Sequence, residues 1–270
     1  TDRHLPWPKR GNRASKGHMH IFRMNNGLKL CVLLLCVAFA ASGQTTLKSV
    51  PSVTGKTPVI IIPGLTGSNL VNSKTGEEVW FKVRRAADDD IRLPISPVLS
   101  ENRDDLVTKD IIRSIQFFKF LPETEVYERL TAALGERGYR EVKWDAAEPS
   151  DDLDTFYVFP YDWRLDNVET ARLLVQRIEA LKRRLGRPRL KFNVIAHSMG
   201  GLIARYAAMY GESDIPARPK PTWAGARHFE KLFLLGAPNE GAVAALVSLF
   251  NGFSYIGGGL NIPLVRNINR

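Results

Sequence analysis

A serine stands between an apolar run and a run of helix-forming residues in the segment NVIAHSMGGLI, residues 193–203. Ala196 and Gly200, two positions either side of Ser198, are small, as a sharp strand-to-helix turn requires. Such a turn exposes the serine Oγ at the positive end of a helix, where negative charge developing on a tetrahedral intermediate is stabilised. The pattern predicts a nucleophile elbow with Ser198 as the nucleophile.

A glycine-containing loop follows an earlier apolar run, in the segment IIIPGLTGSNL, residues 60–70. Gly64 and Gly67 allow the backbone of this loop to approach a ligand closely. In an elbow, one oxyanion donor is the N–H of the residue after the nucleophile, here Met199, and the other comes from a loop after an earlier strand. The loop is therefore a candidate for the second donor, although it could also be a simple connecting turn.

The elements that must position these residues alternate between strand and helix. A continuous apolar run rich in β-branched residues is typical of a strand buried on both faces of a parallel sheet. The predicted strands are 58–64, 155–160, 190–197 and 228–238, and the predicted helices are 124–138, 166–185, 199–210 and 240–250. This order predicts an α/β fold with a mostly parallel sheet flanked by helices.

The long helix carries its own start and stop signals. Asp166 and Glu169 have the spacing of a capping box, and Gly186 follows the last turn. The basic residues in that last turn, Lys182–Arg184, complement the negative end of the helix dipole. We therefore assign this basic cluster to helix stabilisation and not to an anionic ligand.

Four segments together resemble a known family. IIIPGLTGSNL, PYDWRLD, AHSMGGL and LLGAPNEG occur in the order and spacing of the lecithin:cholesterol acyltransferase-like α/β hydrolases, over roughly residues 57–245. The resemblance implies a serine-dependent lipid esterase or O-acyltransferase that acts on glycerolipid or phospholipid esters through an acyl-enzyme. We expect no cofactor, and no metal either, because a chain cut near residue 40 has no cysteine and two lone histidines.

The resemblance also implies roles for particular residues. Ser198 would be the acyl nucleophile, and the backbone N–H groups of Leu65 and Met199 would be the oxyanion donors. Family members commonly have an acidic residue or cysteine where Leu65 stands, but only its backbone is needed. The residues expected to shape the acyl or head-group side of the site are Gly64, Asp162, Trp163 and Arg164.

The catalytic base is not evident in the sequence. The histidines are at positions 4, 18, 20, 197 and 228. In this fold the chain order is serine, acid, histidine, yet His228 opens a predicted strand and His197 would point away from the hydroxyl. We expect a fragment whose last strands, with the catalytic Asp and His, are missing, and whose strand at 229–235 is an open apolar edge. The alternative is a non-catalytic lipid-binding pseudo-hydrolase.

Most of the net charge of +10 lies near the amino terminus, because residues 1–44 account for +6 of it. This distribution removes the main support for nucleic-acid binding. The basic stretch and the apolar run 30–41 resemble a secretory signal, with initiation at Met19 or Met24. We therefore expect a secreted or periplasmic protein, or one that residues 30–41 anchor to a membrane.

The expected organisation has three parts. Residues 1–44 are an upstream extension plus signal peptide, 45–56 a linker, and 57–270 the N-terminal part of an α/β-hydrolase domain with a cap-like insertion at about 71–123. Phe117, Phe118 and Phe120 are assigned to core or cap packing in preference to a lipid-facing surface. The expected partners are a lipid or ester substrate and a membrane or lipoprotein-like surface, with no nucleic acid. The cysteines, at 31 and 36, lie in the apolar run, so a processed chain would offer no thiolate ligand to a metal.

Overall fold

A computed structural model describes residues 55–82, 91, 93–94, 96–115, 124–146, 153–243, 247, 253–254 and 261–262. All of these lie in one compact unit, Ser49–Arg270. The predicted signal segment and Phe117, Phe118 and Phe120 lie outside the described residues. Within the described ranges, no helix combines the length and apolar character needed to cross a bilayer.

The described elements follow one another in the order that the sequence predicts, with several short strands added. The strands are β1 Val59–Ile62, β2 Leu70–Asn72, β3 Glu78–Trp80, β4 Leu106–Val107, β5 Ser114–Ile115, β6 Thr124–Glu125, β7 Arg140–Glu141, β8 Thr155–Val158, β9 Phe192–His197, β10 Phe229–Leu235, β11 Phe253–Ser254 and β12 Asn261–Ile262. The helices are α1 Glu128–Glu136, α2 Asn167–Arg184 and α3 Met199–Tyr210.

Five strands form a parallel sheet in the order β10–β9–β1–β8–β7. The β1 sequence VIII is buried along its whole length, as expected for the central strand of a parallel sheet. The chain crosses over β1 between β8 and β9, so the loops that follow β1 and β9 leave the same edge of the sheet side by side. The α/β fold with a mostly parallel sheet flanked by helices is confirmed.

The two faces of the sheet bury different cores because successive side chains of a strand alternate in direction. Ile60, Ile62 and Val194 lie in the larger core, together with residues of α2 and α3. Val59 and Ile61 face the smaller core, which contains Leu134 of α1. The sheet thus has helices on both faces, and its carboxyl edge carries the loops.

The segment predicted as a cap-like insertion contains short antiparallel pairings that sequence patterns did not indicate. β2 pairs with β3 and β4, and β5 pairs with β6. These strands are two or three residues long, too short to produce a recognisable alternation of apolar and polar residues. The role of 71–123 as a cap stays a prediction.

The predicted helices at 166–185 and 199–210 are confirmed almost residue for residue. Asp166 caps α2 by accepting hydrogen bonds from the N–H groups of Val168 and Glu169. The predicted helix at 124–138 begins later, at Glu128, because Thr124–Glu125 pairs with β5 instead. Most of the predicted helix at 240–250 lies outside the described residues.

Lys182 differs from its exposed neighbours in the basic cluster at the end of α2. Arg183 and Arg184 are exposed, as expected for charges that interact with the helix end, whereas Lys182 is only 2% exposed. Its Nζ lies 2.9 Å from Nδ1 of His228, which is completely buried. Lys182 therefore belongs to the interior, and helix periodicity failed to identify it because a lysine was assumed to face water.

β10 lies at the end of the sheet in the described part of the chain, and one of its faces is uncovered. Phe233 is 47% and Leu235 48% exposed, and they project on the same side of the strand. An exposed edge strand with apolar side chains is prone to pair with another chain. This observation supports the prediction of an open apolar edge at 229–235.

We expect Phe233→Lys to reduce self-association of the full chain, because a charge on an edge strand opposes strand pairing. The measurement is light scattering as a function of protein concentration at neutral pH. Ile215→Lys replaces an exposed apolar residue in a loop and is the matched control, with no expected effect. Equal scattering by wild type and Phe233→Lys would show that β10 is not the associating surface.

Candidate active site

Ser198 is the single residue between β9 and α3, and its backbone has a conformation that few non-glycine residues adopt. Its φ is 50° and its ψ is −122°. Its N–H donates to the carbonyl of Leu235 over 2.8 Å. Strain of this kind costs about 1–3 kcal/mol and persists only where the surrounding structure imposes it. The geometry is that of a strand–turn–helix elbow.

The first turn of α3 packs directly onto the end of β1. A Cβ placed on Gly200 would lie 2.4 Å from the Pro63 carbonyl oxygen and 2.8 Å from that of Ile62. A Cβ on Gly201 would lie 2.5 Å from Cβ of Ala237. All three distances are shorter than real Cβ contacts, so Gly200 and Gly201 cannot be replaced without movement of the backbone. The sequence reasoning that the elbow needs small residues is supported by this packing.

The loop after β1 lies against the elbow. β1 and β9 pair in register up to Ile62 and Ala196, and the next residues of both strands leave the sheet together. A Cβ on Gly64 would lie 2.9 Å from Cβ of Ser198 and 3.0 Å from Nδ1 of His197. Gly64 is therefore where the loop makes its closest approach to the serine.

Hydrogen bonds from several directions hold the shape of this loop. Gly67 N–H donates to the Gly64 carbonyl over 3.0 Å, and Thr66 has a φ of 62°. Trp80 Nε1–H donates to the Thr66 carbonyl over 2.9 Å. Ile112 N–H donates to the Gly67 carbonyl over 2.8 Å. The turn is thus constrained from within and from β3 and the segment before β5.

The motif PYDWR contributes further contacts to the same loop. The Tyr161 hydroxyl donates to the Pro63 carbonyl over 2.9 Å, and its N–H donates to Oγ of Ser68 over 3.1 Å. Trp163 Nε1–H donates to the Ser68 carbonyl over 3.2 Å. Burial raises the pKa of Tyr161, so this hydroxyl stays protonated and remains a donor. The motif thus holds the loop through hydrogen bonds to Pro63 and Ser68.

Arg164 is held in a buried ion-pair network. Its side chain is 1% exposed and its guanidinium bonds to Asp162 over 2.7 Å and to Asp104 over 2.7 Å. Burial alone would lower the pKa of Arg164, but the hydrogen bonds and charges of both carboxylates outweigh it and raise that pKa. In the described residues the three predicted side chains, Asp162, Trp163 and Arg164, thus bond within the protein, and their role towards a substrate stays a prediction.

Two backbone N–H groups of the elbow and its neighbouring loop have no partner in the described part of the chain. Among the described residues, neither the N–H of Leu65 nor that of Met199 forms a hydrogen bond, and the Ser198 hydroxyl forms none. Met199 is the first residue of α3, where a free N–H is inherent to the helix end. N–H groups without a protein acceptor are what an oxyanion site needs, and the oxyanion roles of Leu65 and Met199 stay a prediction.

The site contains a side chain that sequence reasoning missed. Tyr127 precedes α1, is 6% exposed, and its hydroxyl accepts the Gly64 N–H over 2.8 Å. The same oxygen lies 2.8 Å from Nδ1 of His197. Burial raises the pKa of Tyr127 despite the opposing effect of the Gly64 bond. Nothing in local periodicity could connect a residue at 127 with a loop at 64.

A cavity of about 450 Å³ opens beside the loop but not over the serine. It is lined by residues of β3 and of the segment that leads into β5, including Phe81, Ile112 and Arg113. Arg113 is paired with Glu141 over 2.7 Å and also with Asp110. The charge of Arg113 is therefore already compensated, and no residue of the elbow lines the cavity.

Comparison with known proteins covers the PYDWR motif and the elbow. The family model described as lecithin:cholesterol acyltransferase matches residues 108–263, more than half of the chain. The chain is 26% identical over 234 residues to lecithin-cholesterol acyltransferase-like 4 of Arabidopsis thaliana, an alignment that covers 74% of this chain. It spans 38% of that relative's length. With the elbow, the parallel sheet and the family match in agreement, the chain belongs to the lecithin:cholesterol acyltransferase family.

Proposed function

We propose that Ser198 is the acyl-accepting nucleophile of a lipid esterase or O-acyltransferase. The observation that carries the proposal is the strained backbone of Ser198 at the junction of β9 and α3, with Gly64 packed against it. The unpartnered N–H groups of Leu65 and Met199 support it further. Family membership supports a glycerolipid or phospholipid ester as the substrate class.

The proposed reaction has two stages. Ser198 Oγ attacks the ester carbonyl carbon while a base removes the hydroxyl proton, and the carbonyl oxygen becomes an oxyanion facing the N–H groups of Leu65 and Met199. The intermediate then expels the alcohol, which takes the proton from the base, and leaves an acyl-enzyme. In the second stage water or an acceptor alcohol gives a proton to the base and attacks the acyl carbon, and the bond to Ser198 Oγ breaks as that oxygen takes the proton back. Each oxyanion donor contributes a factor of about 10²–10³ to such a rate.

Neither described histidine is placed to act as the base that removes the Ser198 hydroxyl proton. His197 has Nδ1 bonded to Tyr127, and His228 is buried at the amino end of β10, away from the carboxyl edge of the sheet. Neither is hydrogen-bonded to Ser198 among the described residues. Loss of the serine–histidine pair costs about 10⁶ in rate in comparable hydrolases. We therefore propose that this 270-residue chain reacts only slowly by itself.

The test is covalent labelling with a fluorophosphonate at high concentration over hours, followed by peptide mapping. We expect slow, stoichiometric label on Ser198 and none in Ser198→Ala. Ser213→Ala changes an exposed serine just after α3 and is the matched control, with wild-type labelling expected. Label on any other residue, or no label after prolonged exposure, would overturn the nucleophile assignment.

The second candidate is a non-catalytic lipid-binding protein, supported by the absence of a histidine bonded to Ser198 in the described part of the chain. Under that proposal the elbow would bind an ester or carboxylate oxygen without covalent chemistry. A membrane or lipoprotein-like surface is the proposed partner in either case. Binding of a phosphatidylcholine vesicle without any fluorophosphonate label on Ser198 would favour this candidate over the enzyme.

A further inference from the structure

A chain of two hydrogen bonds connects the loop beside Ser198 to the last residue of β9. Gly64 N–H donates to the Tyr127 hydroxyl oxygen over 2.8 Å, and that oxygen lies 2.8 Å from Nδ1 of His197. A Cβ on Gly67 would lie 3.0 Å from the same hydroxyl, so the phenol fits between two points of the loop. Gly64 and Gly67 therefore both lie against the hydroxyl oxygen of Tyr127.

The direction of each hydrogen bond follows from the available donors. Because the Tyr127 oxygen already accepts from Gly64, its own O–H must donate elsewhere, and His197 Nδ1 is the acceptor within reach among the described residues. Nδ1 of a neutral imidazole can accept only if the proton is on Nε2. With the Tyr127 O–H as donor, His197 is in the neutral, Nε2-protonated form.

We propose that Tyr127 and His197 together are positioning residues that hold the loop after β1 with the N–H of Leu65 available to an oxyanion at Ser198. This proposal rests on the proposed function of Ser198. The Gly64 N–H is occupied by Tyr127, which fixes the peptide immediately before the donor. A preorganised donor avoids reorganisation during the reaction, which is the basis of oxyanion stabilisation.

The buried hydroxyl makes the arrangement sensitive to loss of either bond. Tyr127 is almost completely buried, and a buried N–H without its acceptor carries the full cost of desolvation. Tyr127→Phe would leave the Gly64 N–H without this acceptor at the point where the loop contacts Ser198. The expected result is a turn that samples other conformations and presents the Leu65 N–H less often.

Protonation of His197 would break the chain of bonds. A protonated Nδ1 is a donor and would face the Tyr127 O–H, so the two groups could no longer bond as they do in the neutral state. Partial burial lowers the pKa of His197, and no described charge contributes to that shift; Tyr127 is the titratable group that faces the ring. The arrangement is therefore stable at neutral pH and is lost on acidification.

The first experiment needs no activity. In the full chain labelled with ¹⁵N-histidine, NMR is expected to show His197 as the Nε2-protonated tautomer at neutral pH, with the signal assigned by its disappearance in His197→Asn. Tyr127→Phe should raise the pKa of His197, because a bond to the neutral form is lost. Tyr206→Phe removes an exposed hydroxyl bonded to the Ser213 carbonyl and serves as the control. An Nδ1-protonated ring, or an unchanged pKa in Tyr127→Phe, would overturn the proposal.

The second experiment measures the rate of fluorophosphonate labelling of Ser198 against pH. Tyr127→Phe is expected to label about tenfold more slowly than wild type, a fraction of the full effect of one oxyanion donor. His197→Asn places an amide oxygen near the position of Nδ1 as a non-titrating acceptor for the Tyr127 hydroxyl, so the acidic decline in labelling rate that we assign to His197 should disappear. Wild-type behaviour of Tyr127→Phe, or an unaltered acidic decline in His197→Asn, would overturn the positioning role. Absence of label from wild type would instead refute the proposed function, and the NMR experiment would still decide the tautomer.

Discussion

Gly200→Ala is expected to lower the free energy of unfolding by about 3 kcal/mol, the upper part of the range for overpacked interiors. The added Cβ would lie 2.4 Å from the Pro63 carbonyl oxygen and 2.8 Å from that of Ile62. Both are backbone atoms of β1 and its loop, so no side chain can rotate to make room. Either α3 or the loop must move, and each movement separates Ser198 from Gly64. Urea unfolding followed by circular dichroism measures the loss.

Gly135→Ala is the matched control for this substitution. Gly135 lies in α1, and a Cβ placed there meets nothing within 4 Å. Alanine is more favourable than glycine in a helix by up to about 1 kcal/mol, so the control should be neutral or stabilising. A Gly200→Ala protein as stable as wild type would mean that α3 does not pack against β1 as described.

Local sequence patterns account for the sheet because each main strand carries its own signal. The VIII run of β1 and the VIA run of β9 are apolar regardless of what surrounds them. The helix predicted at 199–210, directly after the elbow, matches α3 residue for residue. The alternation of these elements then determined the parallel sheet and the position of Ser198 at its carboxyl edge.

Contacts between distant segments could not be predicted in this way. Tyr127 bonds to Gly64 across 63 residues, and Trp163 bonds to Ser68 across 95. Neither contact leaves a periodic trace, since each depends on one polar atom at the end of an aromatic side chain. The PYDWR motif was recognised by resemblance as part of the site, but its bonds to the loop emerge only from the three-dimensional arrangement.

Contacts with distant segments also explain why the loop after β1 is better defined than its composition suggests. Glycine and threonine in a turn would ordinarily allow many conformations. Here Tyr161, Trp80 and Tyr127 each donate to or accept from a different backbone group of the loop. The three aromatic residues come from separate elements, so the loop is ordered only when the surrounding fold is complete.

Acidification from pH 6.5 to 4 is expected to destabilise the protein through His228 by about 3 kcal/mol in total. The pKa of His228 is lowered to about 4, mainly by burial. The positive charges of Lys182 and Arg227 also lower this pKa, and their effect is larger than the opposing effect of the Glu179 and Glu212 carboxylates. Between the folded pKa and the ordinary value near 6.5 the unfolded state binds more protons. Stability contributed by neutral His228 is thus fully present above pH 6.5 and lost as pH falls towards 4.

His228→Asn removes this titration and keeps an acceptor for Lys182 Nζ, which now lies 2.9 Å from Nδ1. We expect the variant to be less stable than wild type at pH 7, because the smaller side chain leaves space beside Phe229, yet to lose less stability on acidification. Urea unfolding at pH 7 and pH 4.5 gives, for each protein, the loss in free energy of unfolding on acidification. Subtracting the loss of the variant from that of wild type cancels the contribution of the carboxylates that both proteins share.

His197→Asn is the control for that comparison, because it makes the same replacement at an exposed histidine. Most of the acid-induced loss should remain in this control, since the imidazole of His197 is much less buried than that of His228. If His228→Asn and wild type lost equal stability between the two pH values, His228 would have to be protonated in the folded state. A protonated His228 would then face the Lys182 ammonium 2.9 Å away, with the Glu179 carboxylate 3.4 Å from Nε2, and the lowered pKa assigned to His228 would be wrong.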